Sequence, residues 1–121
     1  MTPEQIIAAM LPHLTLDLAP PKWQRLARKH NVKTLGFGTC YPAAEVLYYL
    51  WGKANGFKPC YKKDGTLQHW FLRHPDGRVL DPSANQFEGR LPDYAGGRCC
   101  GFLTKGLSKR AAVLLGRMGM Q

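Results

Sequence analysis

Residues 67–81 read LQHWFLRHPDGRVLD, and the reading of this stretch decides the fold. Pro75-Asp76-Gly77 is a turn signal between two apolar runs. Taken as a three-residue hairpin loop with Gly77 in the left-handed position, it fixes a register. His74 then pairs with Arg78, and Phe71 with Asp81. Leu67 and Phe71 fall on one face of the first strand, Trp70 and Leu72 on the other. A strand covered by large apolar groups on both faces lies centrally in its sheet. His69 shares a face with Phe71 and becomes a diagonal neighbour of Asp81. Diagonal Cβ atoms are about 7–8 Å apart, within reach of an imidazole and a carboxylate.

Upstream, Lys58 to Lys63 reads as a second strand, and Asp64-Gly65 is a hairpin signal joining the two. Before it, the stripe Ala43, Val46, Leu47, Leu50, Trp51 and Ala54 predicts a mostly buried helix from about Pro42 to Ala54, stopped by Gly56. The glycine-rich turn Leu35-Gly36-Phe37-Gly38-Thr39 delivers the chain to Cys40 just before that helix. A first helix is expected over residues 3–13, with Thr2 as its cap, Pro3 at its first position and an apolar stripe from Ile6 to Leu14. Ala19-Pro20-Pro21 breaks the chain before a basic helix from about Lys22 to His30. Residues 88–101, rich in Gly, Pro and charge, read as an irregular loop, and Ser108 can cap a last helix reaching about Arg117. These elements predict one α+β domain over residues 1–121, with a short antiparallel sheet of three or four strands packed on the Cys40 helix and the terminal helices outside.

Composition bounds the function. Hydrophobic residues at 45% in a 121-residue chain suit one globular domain, not a disordered or coiled-coil chain. No apolar run approaches the roughly 20 residues of a membrane helix. The start, MTPEQIIAAMLPHL, lacks a basic leader region and carries Glu4, so a cytoplasmic protein without a membrane partner is expected. Seventeen Lys and Arg against eight Asp and Glu leave a net charge of +9, concentrated in residues 22–33 and 98–121. Such segments attract nucleic acid or an acidic protein, or keep a small protein soluble.

The four cysteines are Cys40, Cys60, Cys99 and Cys100. Their spacing contains no paired Cys knuckle, although His69 and His74 are close in sequence, so no metal site is expected. They are also too sparse for a disulfide scaffold, and Cys99-Cys100 read as small residues of a loop. Cys40 is different. At a helix start it meets unpartnered N–H groups and the positive end of the helix dipole. Such a place favours the reactive anion of a thiol and supplies donors for an oxyanion. With His69 and Asp81 disposed as above, Asp81 can hold the ring tautomer while the other nitrogen faces the sulfur.

The segments GFGTCYPAAEVLYYL, QHWFL and GRVLDPSANQF resemble the three motifs of the transglutaminase-like branch of the papain-like cysteine enzymes. The likeness spans about residues 36–87 and implies a papain-like core whose helix carries a catalytic Cys at its N-terminus. It implies a Cys40–His69–Asp81 triad acting on amide or thioester carbonyls. Cys40 attacks, His69 moves the proton and Asp81 orients His69. The acceptor is water in a protease, isopeptidase or deamidase, and an amine in a transglutaminase, with a protein or peptide as substrate. No cofactor is implied. The family often places an oxyanion donor upstream of the nucleophile, yet no Gln or Asn lies between Lys33 and Cys40. Trp70 and Gln86 are the candidates to fill that substrate-binding role. The compact DPSANQF ending also resembles small phage-encoded proteins of this type. The competing expectations are a catalytically inactive basic module that binds nucleic acid or an acidic partner, and a zinc-supported structural protein.

Overall fold

The hairpin loop at Pro75-Asp76-Gly77 organises the sheet as its sequence requires. In the computed structural model, which describes residues 1–29, 39–64, 67–83, 94, 97–102 and 106–119, the His74 N–H donates to Arg78 O at 2.9 Å. The Gly77 N–H donates back to His74 O, also at 2.9 Å, and Gly77 adopts φ 97°, a conformation that glycine alone takes without a Cβ penalty. Strand β2 (Leu67–Arg73) accordingly pairs with β3 (Val79–Leu80) through Leu72–Leu80 and Arg73–Val79, the register read from the sequence. On its other side β2 pairs antiparallel with β1 (Lys58–Asp64), from Lys58–Arg73 to Asp64–Leu67. The sheet order is β3-β2-β1-β4, so β2 is interior.

Strand β4 (Arg98–Cys99) corrects the sequence reading of residues 88–101 as loop. It pairs Cys60 with Cys99 and Tyr61 with Arg98 along the outer edge of β1. A second correction goes with it. Cys99 is not an ordinary loop residue but is joined to Cys60 by a disulfide, while Cys100 is an exposed free thiol. Closing a loop across a sequence separation of 39 residues removes unfolded-chain entropy worth about 4 kcal/mol.

Helix α1 (Pro3–Met10) begins with a reciprocal capping box between Thr2 and Gln5, and helix α2 (Pro21–Lys29) follows the Pro20-Pro21 break. Helix α3 (Cys40–Leu47) starts two residues earlier than Pro42, so Cys40 is its first residue and Thr39 its N-cap. It runs on as a wide π turn over Tyr48–Gly52 and a short turn over Lys53–Asn55, ending at Gly56. Helix α4 (Lys109–Arg117) is capped by Ser108, whose Oγ accepts from the Ala111 N–H at 3.2 Å. The core gathers Ile6 and Met10 of α1, Ala43 to Leu47 of α3, Phe57, Trp70 and Leu72 of the sheet side, and Ala111, Leu114 and Leu115 of α4. No helix among the described residues is long and apolar enough to cross a membrane.

Helix α3 is enclosed on nearly every side, and this encloses Glu45 too, at 2% exposure. Its carboxylate is met from α4. Oε2 accepts the Ser108 N–H at 2.9 Å and Oε1 accepts the Ser108 O–H at 2.6 Å. Burial pushes the Glu45 pKa up, against the pull of the Ser108 bonds. This contact ties the helix that carries Cys40 to the chain end 63 residues away. Glu45→Ala removes both bonds and leaves the Ser108 N–H without its partner. It is expected to cost about 2–3 kcal/mol, read as a lowered urea midpoint with an unchanged slope. Glu45→Gln, which keeps an acceptor, should recover more than half of that loss.

Candidate active site

Each of the three chemistry-bearing residues is delivered by a different element. Cys40 comes from the first turn of α3, His69 from the middle of β2, and Asp81 from the residue directly after β3. The hairpin register sets His69 beside Asp81, and their side chains meet. His69 Nε2 lies 2.6 Å from Asp81 Oδ2. With Nε2 taken, Nδ1 is the ring atom left for the side-chain hydrogen bond that His69 also makes with Cys40. The imidazole therefore has the sulfur and the carboxylate as side-chain partners.

The assembly is enclosed. Cys40 is 4% exposed and His69 0%, and the Asp81 side chain is 5% exposed. Burial alone would drive the His69 pKa down. The hydrogen bonds to Asp81 and Cys40, with the charge of both partners, outweigh it and raise the pKa to about 9. The bridged ring is thus held in its protonated form.

Asp81 is positioned by two further donors. The Ser83 N–H reaches Oδ1 at 3.2 Å, an Asx turn that explains why Asp81 is followed by Pro82 and a small residue. The Tyr94 O–H donates to Oδ2 at 2.6 Å, the same oxygen that meets His69. Burial, then the Asp81 bond and charge, drive the Tyr94 pKa strongly up, so it stays a donor. Nothing in the sequence marks Tyr94. It is a single aromatic in a tract read as loop, 13 residues past Asp81. Its backbone is held from β2: Arg73 donates from Nη1 to Tyr94 O at 2.9 Å and from Nη2 to Gly97 O at 3.1 Å. Gly97 passes so close to Phe71 that a Cβ there would stand 2.5 Å from its ring edge. Phe71 in turn lies between the His69 ring, at a centroid distance of 6.2 Å, and the Tyr94 ring, at 4.9 Å.

Of the two expected substrate-binding residues, Trp70 does not join this group. Trp70 is 4% exposed, and its ring is surrounded by Tyr41, Tyr61 and Phe102 at 5.0, 5.2 and 5.6 Å between centroids. It packs in the core, on the face of β2 opposite His69. Gln86 lies outside the described residues, as does the glycine turn before Thr39. Among the described residues no group of three or more His, Cys, Asp or Glu is arranged to hold a metal ion. No known family, curated protein or solved structure matches the chain.

The His69 shift has a consequence for stability. A histidine whose folded pKa is raised from 6.5 to about 9 stabilises the fold fully below pH 6.5 and loses that contribution as pH rises through 9. Urea unfolding is expected to show stability falling by on the order of 2–3 kcal/mol between pH 6.5 and 9.5. Asp81→Asn, which removes the charge that favours the imidazolium, should flatten most of that slope. A flat profile in the unsubstituted protein would contradict the bridged geometry.

Proposed function

We propose that the protein is a thiol-dependent acyl-transfer enzyme of papain-like, transglutaminase-like type, acting on amide bonds of protein or peptide substrates. The observation that carries this reading is the bridged ring: one buried imidazole bonded to Cys40 on one side and to Asp81 on the other. Neither a packing role nor a polyanion surface calls for that arrangement. It is the arrangement a sulfur nucleophile needs, since a proton acceptor must touch the sulfur and an orienting carboxylate must touch the acceptor.

In the proposed cycle His69 holds the proton that the leaving amine will take. The sulfur attacks the substrate carbonyl carbon, and the oxyanion that forms faces the N-terminal end of α3. The C–N bond then breaks, and the departing amine takes the proton from His69. The thioester left on Cys40 is attacked by water or by a second amine, which gives its proton to the ring, and Cys40 is released. Asp81 orients the ring through Nε2, with Ser83 and Tyr94 holding it in place. Burial strengthens each of these electrostatic contacts.

A second reading has its own support. On α2 the side chains of Arg25, Arg28 and Lys29 are exposed, and no acid lies within that helix. As a binding module for nucleic acid or an acidic protein, the chain would show a salt-dependent complex that Cys40→Ala leaves unchanged.

Incubation with candidate peptides and intact-mass readout tests the enzyme reading. Loss of a peptide fragment, a gain of about one dalton, or an amine conjugate marks hydrolysis, deamidation or transamidation, and Cys40→Ala should abolish all three. Asp81→Asn is expected to lower kcat/KM by roughly 10²–10⁴-fold with the fold retained. Turnover should fall above pH 9, where His69, with its pKa raised to about 9, loses the proton owed to the leaving amine. Near-native turnover in Asp81→Asn would reduce the site to a Cys–His pair. Failure of iodoacetamide, a small neutral probe, to label Cys40 at neutral pH would sink the enzyme reading.

A further inference from the structure

The Cys60–Cys99 disulfide is the covalent tie between the sheet and the segment that carries Tyr94. Its two sulfurs are unequal. Cys60 is fully buried, whereas Cys99 is exposed on the edge strand β4. Cys99 also lines a cavity of about 350 Å³ together with Lys58, Arg73, His74, Pro75 and Gly77. No acid lines it. The Asp76 carboxylate is paired with Arg78, and Lys58 and Arg73 place two cationic side chains in the lining. Arg73 is fixed there because its guanidinium bonds Tyr94 O and Gly97 O.

We propose that Cys99 is a site of thiol exchange for a small thiol bearing a carboxylate or sulfonate, and that this exchange loosens the support of the buried Cys40–His69–Asp81 group. The anionic tail is drawn into the pocket by Lys58 and Arg73. Its thiolate attacks Cys99 Sγ, the Sγ–Sγ bond breaks, and the electron pair leaves on Cys60 Sγ, which takes a proton from water. The product is a mixed disulfide on Cys99 and a thiol on Cys60. A second thiol then attacks the mixed disulfide, so that two small thiols are oxidised to their disulfide and the protein bridge is reduced. Access decides which sulfur is attacked, since Cys60 cannot be reached.

The consequence follows from what β4 holds. Without the bridge, what holds its two residues on β1 among the described residues is strand pairing and the Cys100 N–H bond to Pro59 O at 2.9 Å. Gly97 and Tyr94 precede β4, and Phe102 follows it with its ring on Tyr41 and Trp70 beside Cys40. Opening the bridge relaxes the Tyr94 hold on Asp81 and the aromatic cover next to Cys40 together. This coupling rests on the acyl-transfer reading; the exchange chemistry does not.

The test uses the full oxidised chain with Cys100→Ser, which removes the other exposed thiol. Three thiols are compared at equal thiolate concentration: 2-mercaptoethanesulfonate, 2-mercaptoethanol and cysteamine. The anionic thiol is expected to open the bridge at least tenfold faster than the cationic one, the neutral one falling between, with the first adduct mapped to Cys99. Lys58→Gln should cut that ratio at least threefold, as should high salt. Equal rates for the three thiols, a first adduct on Cys60, or four titratable thiols in the untreated chain before Cys100→Ser is introduced would overturn the site. Iodoacetamide labelling of Cys40 should then be at least fivefold faster in the opened form. If exchange proceeds as described and Cys40 labels equally in both forms, the coupling is overturned. If exchange proceeds and Cys40 labels in neither form, the acyl-transfer reading fails while the exchange site stands.

Discussion

A carboxylate that is almost fully buried must have its charge met by donors, and the site depends on how Asp81 meets that demand. Three donors converge on it from different parts of the chain: the His69 ring from β2, the Ser83 N–H from its own turn, and the Tyr94 O–H from the segment before β4. Each fixes one piece of backbone against another. Removing any of them would leave the others bonded to a less well placed charge, so the three are coupled rather than additive. The carboxylate also decides the chemistry of the ring. Burial would lower the His69 pKa, and the hydrogen bond and charge of Asp81, together with Cys40, raise it instead.

The part of this arrangement that was legible in the sequence is the part fixed by short-range rules. A Pro-Asp-Gly loop admits few hairpin geometries, and the one it takes carries the register from His74–Arg78 to the neighbourhood of His69 and Asp81. Because side chains alternate along a strand, the same register assigns Trp70 to the core face and His69 to the other. Helix starts were legible for a similar reason. Thr2 and Ser108 are oxygen-bearing caps in front of apolar stripes, and both make the expected capping bonds. The start of α3 was misplaced by two residues because Pro42 is compatible with several first-turn positions, and the structure uses it one turn-step inside the helix.

What was not legible is long-range and weakly patterned. Two paired residues make β4, too few to show alternation, and their partners lie on β1 far back in the chain. The Cys60–Cys99 bridge follows from that pairing and from nothing in the spacing of the cysteines. Tyr94 and Glu45 share a cause of invisibility. Each is a common residue whose significance comes from a partner that only the fold supplies, Asp81 in one case and Ser108 in the other. Trp70 is the converse case. Next to the candidate histidine it invites a functional reading, but the period of the strand turns it into the core, where Tyr41, Tyr61 and Phe102 enclose it.

Both ends of α3 are held from outside the helix, and that fixes the place of the buried Cys40 on so small a sheet. At the C-terminal side the π turn brings Gly52 against Leu72, where any Cβ would stand 2.9 Å from its Cδ1. In the middle, Glu45 is locked to the cap of α4. At the N-terminal side Cys40 meets His69, which is itself fixed by Asp81. A helix anchored at three levels has little freedom to slide along or turn about its axis. The sulfur at its first residue is therefore positioned by the packing of the whole helix. The cost of this design is a polar residue inside the core, Glu45, whose burial disfavours its charged form. The capping serine that answers Glu45 also starts α4, so one pair of hydrogen bonds both offsets part of the burial cost of the acid and orients the helix that covers it.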